Sequence, residues 1–455
     1  MSARRPHPKS KSGCTDCKRR RVKCDERRPR CDNCRKRNVL CSYSVFDLTP
    51  KLPTTSPSRD VRLGSYIRVF SSRQREPPGS VFGHGLLSDD VRNGLVRQIS
   101  DSELPRMAKI LQYFAETTIP TLTSRAEAQA AWRSALPNLA TRYNFVTHGM
   151  LATAALHLTC LDPDEEDLET YGTIAAIQLN IGMVHYRSEV QDVTTANAEA
   201  LFAFSTMVTM FVLRTAGDEC RATLDLMTSP ASPRTHSSTS ISDLTHTVCR
   251  IFRSLRGVLV ILVPCWEQIQ GGLLQSVVRR DWWPQPIPVT LMEIENDEKL
   301  RKLEKLWSHP GKSYEYSSDT LRYALKGLRE AFALVSRLID LAHCESASEP
   351  TSFDWTSIIH WPVALPLEFL TLLEQRQVEA WVLVAHYAIL PGKITDIWWL
   401  KGWAVQFIAI AALVIGENNW EWIAWPAAAV GFDLDSLRND TNTPVCKQIP
   451  TAQGT

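Results

Sequence analysis

The amino-acid sequence predicts two unlike parts: a small metal-nucleated domain at the N-terminus, and a large all-α body behind a flexible linker. Three observations carry that expectation. Six of the twelve cysteines fall between Cys14 and Cys41. Residues 1–46 hold fifteen Lys/Arg against four Asp/Glu, and the remainder thirty-six against forty-five, so a basic head precedes a mildly acidic body. From about Asp101 onward apolar residues recur at helical spacing, and no run of alternating strands intervenes.

The head comes first. Its cysteines run C-x2-C-x6-C-x6-C-x2-C-x6-C on Cys14, Cys17, Cys24, Cys31, Cys34 and Cys41. The stretch contains its own repeat, since "CTDCKRRRVKC" and "CDNCRKRNVLC" share their cysteine offsets and Val22 aligns with Val39. Each half reads as a CxxC turn leading into a short helix and an extended return to the third cysteine. Neither half has enough apolar residues to fold alone, so bound metal must supply the core, and its binding free energy becomes folding free energy. The opening "MSARRPHPKSKSG" has basic residues but no apolar stretch behind them. No secretory signal is therefore expected, the compartment is reducing, and clustered thiols favour metal over disulfides. Zinc suits thiolates in tetrahedral geometry. Two tetrahedral ions present eight places against six cysteines, so two sulfurs are shared if all six serve two ions. Other readings fit less well. A disulfide framework lacks the signal, and a four-cysteine site with two spare thiols leaves the repeat unexplained. An iron–sulfur site takes four cysteines and gives no reason for dense lysine and arginine.

With those residues in view, the head resembles the fungal binuclear zinc-cluster transcription factors. In that family the first and fourth cysteines bridge the ions. The resemblance implies that Cys14 and Cys31 bridge, that the other four cysteines are terminal, and that two Zn2+ bind per chain. Pro29, two residues before the fourth cysteine, matches the family's proline in the loop joining the halves. The fold expected is thus a small zinc-cluster domain over residues 1–46, joined by a flexible linker to a large all-α regulatory domain.

The cations indicate what the head meets. "KRRRVK" between Cys17 and Cys24 puts five positive charges in six places, whereas the matching "RKRNVL" has Asn38 for Arg21 and Leu40 for Lys23. The first half is therefore expected to read double-stranded DNA, its helix pointed into a major groove. Arginine there can donate to guanine O6 and N7 while neighbouring cations hold phosphates. The resemblance puts the base contacts on Arg20 and Arg21, where relatives usually carry lysine, and implies a CGG-type triplet. Lys18, Arg19 and Lys23 are assigned to phosphates, as are Arg35, Lys36 and Arg37. A nuclear-import signal can coexist with that role, and the nucleus is the expected location.

Past Cys41 the composition changes. "LTPKLPTTSPSRD" and "SSRQREPPGS" are rich in Pro, Ser and Thr and make residues 47–100 a linker. No a/d heptad is visible between residues 42 and 100, so the alternatives are a homodimer paired through the helical body or monomeric binding.

The body, residues 101–434, reads as helices in order. "DSELPRMAKILQYFAETT" opens with Asp101 or Ser102 as a cap and Pro105 in an early turn. "YNFVTHGMLATAALHLTCL" is apolar nearly all round and is expected at the centre, with "NAEALFAFSTMVTMFVLRT" another of the kind. A mobile Ser/Thr-rich loop is expected near 217–247, where eleven of the twenty residues from Thr228 to Thr247 are Ser or Thr. "NDEKLRKLEKLW" is charged and belongs at the surface. "SDTLRYALKGLREAFALVSRLIDLAH" puts Leu321, Leu325, Leu328, Phe332, Val335 and Ile339 on one stripe. The longest apolar run, Gly402 to Gly416, is too short to span a bilayer and reads as a buried helix, so no membrane span is expected. Residues 435–455 read as a disordered tail.

Short apolar and aromatic blocks in the body, among them "YNFVTHGMLATAALHL", "SLRGVLVILVPCWEQIQGGLL", "EAWVLVAHYAIL" and "WWLKGWAVQFI", resemble the sterol-uptake-control type regulators over roughly residues 105–432. That likeness implies an apolar small-molecule effector such as a sterol; similar layouts also control secondary-metabolite genes. Trp398, Trp399, Trp403, Trp420, Trp422 and Trp425 could line a pocket for it or pack the core. His148, His157 and His185 lie on apolar helices without catalytic partners and read as core histidines. No P-loop, dinucleotide fingerprint, G-x-S-x-G or HExxH pattern occurs, so no enzyme is expected. The function that follows is sequence-specific regulation of RNA polymerase II genes, with the transcription machinery as the body's partner.

Overall fold

The computed structural model describes residues 17, 20, 22–25, 31–37, 103–161, 165–228, 238–280, 282, 288–308, 317–345, 353–394 and 396–438. The chain divides into two units, Met1–Val61 and Arg62–Thr455. Among the described residues every regular element is helical and none is a strand. The expected linker, and the tail beyond Arg438, lie outside the described residues.

In the first unit the described helix is α1 (Asp32–Lys36). Upstream, Val22 N–H donates to Cys17 O at 3.0 Å. That six-to-one bond is the closure that ends a helix, so Arg20 sits in a closing turn.

The second unit begins with α2 (Leu104–Tyr113). Pro105 stands in its first turn, where the missing N–H has no intrahelical role. After a π turn and a 3-10 turn come α3 (Ala126–Arg142) and α4 (Asn144–Leu158). Every residue from Phe145 to His157 is buried, as the all-round apolar sequence of α4 requires. Gly149 makes this close packing feasible: a Cβ there would lie 2.8 Å from both Met207 and Phe204. α5 (Glu165–Glu189) and α6 (Ala198–Thr228) pack on α4, and α7 (Ser238–Leu262) packs along α6. α6 is long and apolar enough to cross a membrane, yet 67% of its apolar window is buried among the other helices, as in the core helix of a bundle.

Most of the stretch expected as a loop near 217–247 is helix. α6 continues to Thr228 and α7 begins at Ser238, and only 229–237 fall outside the described residues. Hydroxyls that suggest a loop in sequence bond back to the preceding turn instead. Thr223 donates to Glu219 O at 2.9 Å and Thr245 to Ile241 O at 2.8 Å.

The remaining helices close the body. Short α8 (Trp266–Gln270) and α9 (Gln275–Val278) precede α10 (Leu291–Arg301). Thr290 and Glu293 form a capping box at the start of α10. Leu300 and Leu303 turn inward, so the charged segment has a buried edge as well as a surface. α11 (Ser318–Glu345) buries Leu321, Leu325, Leu328, Phe332 and Val335 on one stripe, with Ile339 partly buried. Then follow α12 (Thr356–Ala364), α13 (Leu367–Glu374), α14 (Val378–Tyr387), α15 (Trp403–Ile415) and α16 (Ala424–Val430). The apolar run Gly402 to Gly416 is buried α15, bounded by its two glycines at φ +89° and +76°, where a side chain would be strained. The expected tail starts late, because Leu437 is buried and Arg438 Nε donates to Glu417 at 2.8 Å.

The tryptophans act mainly as packing. Trp361 stacks on Tyr387 at 4.8 Å and donates to Ala324 O at 2.8 Å; Trp399 meets Trp355 at 5.0 Å, and Trp403 meets Phe407 at 5.0 Å. Trp420, Trp422 and Trp425 are partly buried against the same core. Two of the three histidines are core residues. His148 Nδ1 lies 2.7 Å from Gln178 Oε1, and His157 lies between Thr118 (3.1 Å) and Trp398 (ring centroids 4.5 Å apart). His185 is not: its ring stacks on His148 with centroids 6.5 Å apart, but it lies at the edge of the α4–α5 contact and is exposed.

Candidate metal centre and nucleic-acid interface

Three of the six clustered cysteines converge. Cys17, Cys24 and Cys31 are at most 2% exposed, and their Sγ atoms all lie within 4.8 Å of one another. Cys17 Sγ and Cys31 Sγ are 3.7 Å apart. With metal–sulfur bonds of about 2.3 Å, a tetrahedral zinc site has sulfur–sulfur edges of about 3.8 Å. The three thiols therefore fit three corners of such a site. Together as thiolates they would repel one another in a buried place, and a dication removes that conflict. Cys14 and Cys41 lie outside the described residues, and Cys34 falls within α1.

The polypeptide around the sulfurs is tied across the repeat. The Asp25 carboxylate accepts from Asp32 N–H at 3.1 and 3.2 Å, and Asn33 Nδ2 donates to Lys23 O at 2.7 Å. The end of the first half thus holds the start of α1 in the second half, where Cys24 lies beside Cys31. Asp25 and Asn33 were not singled out by the cysteine and cation pattern. The signal that points to them is local: short Asx side chains flanking ligand positions are suited to bonding nearby backbone.

Beside this centre, Lys23, Lys36 and Arg37 are exposed, Val22 is 38% exposed and Arg20 is partly buried. Lys18, Arg19, Arg21 and the side chain of Arg35 lie outside the described residues.

Residues 12–49 match the family model of the fungal Zn(2)-Cys(6) binuclear cluster domain. A Zn(2)-C6 fungal-type transcription factor of Gibberella zeae is 22% identical over 494 aligned positions, covering 100% of this chain and 92% of the relative. The chain is thus similar to fungal zinc-cluster transcription factors, and its residues 12–49 carry the domain that names them. A second zinc-cluster relative, the Zn(2)-C6 fungal-type transcription factor afumD of Aspergillus fumigatus, is 28% identical over 209 positions, 46% of this chain and 48% of the relative. The zinc-cluster domain binds two zinc ions, and the protein is a DNA-binding regulator rather than an enzyme. The chemistry of the body agrees with that. Burial pushes the Cys220 and Cys249 thiols up to about 12, which keeps them protonated and suits packing rather than nucleophilic attack.

Proposed function

We propose that this zinc-cluster regulator reads a CGG-type triplet through the first half of its cluster and acts in the nucleus on RNA polymerase II genes. The observation that carries the reading is the convergence of Cys17, Cys24 and Cys31 beside a stretch of five cations in six positions. On this reading all six cysteines are ligands. Cys17, Cys24 and Cys31 share one ion with Cys14, and Cys34 and Cys41 complete the second through the two shared sulfurs, Cys14 and Cys31. The zinc ions supply the core that so short a segment lacks. Closure of the first helix at Val22 sets Arg20 in the turn that meets the groove. Arg20 and Arg21 donate to guanine edges, while Lys18, Arg19 and Lys23 neutralise phosphates and give affinity without base preference. The helical body supplies regulation and contacts the transcription machinery. The Trp399 and Trp403 rings are occupied by neighbouring side chains, so a sterol or other effector is not part of this reading.

Selection of bound sites from random duplexes by the full-length protein, with and without chelator, tests the proposal. The expected result is enrichment of CGG triplets, lost on chelation and steeply weakened by salt. Arg21→Ala should relax base preference by about 1–3 kcal/mol at one position, and Lys18→Ala should weaken all sequences alike. Retention of metal with no enriched sequence would overturn it.

A further inference from the structure

We propose that the outer face of α5 is a homodimer interface, on which a second copy of this chain packs its own α5 antiparallel. This goes beyond the reading of the cluster and is independent of DNA. α5 turns Ala175, Gln178 and Gly182 inward; Gly182 lies so close to Phe204 that a Cβ would sit 2.8 Å from its ring. The opposite face is apolar and open to solvent. Ile177 is 50% exposed, Ile181 37% and Val184 63%. With Ile174, these residues repeat at three- and four-residue steps, which is the seam of a helix made to pack against another helix.

The ends of the face say which helix fits. Glu169 and Arg187 are both exposed, eighteen residues and five turns apart, so they lie on one edge of the seam about 27 Å from each other. A two-fold axis between antiparallel copies keeps that edge on the same side and reverses its direction. Glu169 of each copy then meets Arg187 of the other, in two equivalent pairs, as a self-complementary interface requires. A parallel pairing, with its two-fold along the helices, would put the two edges on opposite sides of the seam and leave both pairs unmade. Exposed Asn180 lies close to the midpoint of the two charges, where each copy would present its amide to the other and pin the register. The sequence offers no heptad between residues 42 and 100 to pair two copies earlier in the chain.

Sedimentation of the full-length zinc-loaded protein without DNA, from about 0.5 to 50 µM, tests this. Wild type is expected to move from monomer to twice the monomer mass within that range. Ile177→Asp should weaken pairing at least about a hundredfold, because symmetry counts its loss twice. It should leave helical content and melting temperature unchanged, since Ile177 is on the surface. Glu169→Arg and Arg187→Glu alone should each weaken pairing about threefold to tenfold, and the double variant should recover it. A monomer across the whole range, a dimer indifferent to Ile177→Asp, or a double variant no tighter than either single variant would each overturn the proposal. In the first case the face belongs to another partner; in the second the copies pair elsewhere; in the third they are not antiparallel here.

Discussion

Acid should loosen the helical body through two histidines, and the size of the effect follows from where they sit. Burial pushes His157 and His386 from 6.5 down to about 4. His386 Nδ1 lies 2.8 Å from Val382 O; a carbonyl only accepts, so that nitrogen carries a proton, and burial disfavours a second one on Nε2. His157 stacks on Trp398, with Tyr113 edge-on at 5.3 Å, and no carboxylate is among these contacts to stabilise an imidazolium. In the unfolded chain both rings bind a proton once the pH falls below 6.5; in the folded chain they do not until about 4. Stability from these groups is therefore complete above pH 6.5 and is lost as the pH falls towards 4. Each costs about 2 kcal/mol between pH 7 and pH 5, together about 4 kcal/mol. Burial also lowers His148 and His360, which adds loss in the same direction. The assay is urea unfolding followed by tryptophan fluorescence at several pH values. The first tryptophan is Trp132, so the signal reports the body and not the cluster. His157→Phe with His386→Phe keeps both rings' volume, and wild type and variant should converge by about 4 kcal/mol between pH 7 and pH 5. A double variant with the wild-type pH slope would refute the reasoning.

Three other outcomes are expected. Elemental analysis should find two zinc ions per chain, and chelation should abolish DNA binding while tryptophan-monitored stability of the body stays constant. Gly149→Ala should destabilise the body by about 1–3 kcal/mol in urea, because the new methyl meets Met207 and Phe204 across a helix with little freedom to shift. Glu293→Ala removes the carboxylate that accepts from Thr290 N–H at 3.2 Å and from Val289 N–H; it should cost about 1–2 kcal/mol, measured as a lower denaturation midpoint.

The parts of the fold that are legible in the sequence are those where one residue type has one use. Cysteine spacing points to a metal because thiols have few other reasons to cluster in a reducing compartment. The stripe of α11 and the all-apolar α4 follow from period alone. Residue types with two uses mislead. Serine and threonine from 217 to 247 suit a loop, and they also suit a helix when the hydroxyl returns to a carbonyl one turn back, as Thr223 and Thr245 do. His157 and His185 carry the same side chain on apolar helices, yet one is enclosed by Thr118 and Trp398 while the other stacks on His148 at an exposed edge, and only the packing of the neighbouring helices decides which. The bonds from Asp25 and Asn33 are hidden for a third reason: they join residues seven and ten positions apart, and the chain reversal that brings them together is made by the sulfurs.

That dependence has a consequence for the whole molecule. The first unit has few apolar side chains in its sequence, its buried residues among those described are Cys17, Cys24 and Cys31, and its crossing hydrogen bonds need Cys24 and Cys31 already together. The second unit is held by a continuous apolar core running from Met107 to Leu437. One part is thus ordered by a metal and the other by exclusion of water, and conditions that strip the first leave the forces on the second unchanged. Acid acts on both by different routes, since ligand thiolates must be protonated in one and buried imidazoles in the other. Loss of DNA binding on acidification while tryptophan emission is still native would identify the metal site as the weaker of the two. The reverse order would mean that the buried histidines govern the acid response.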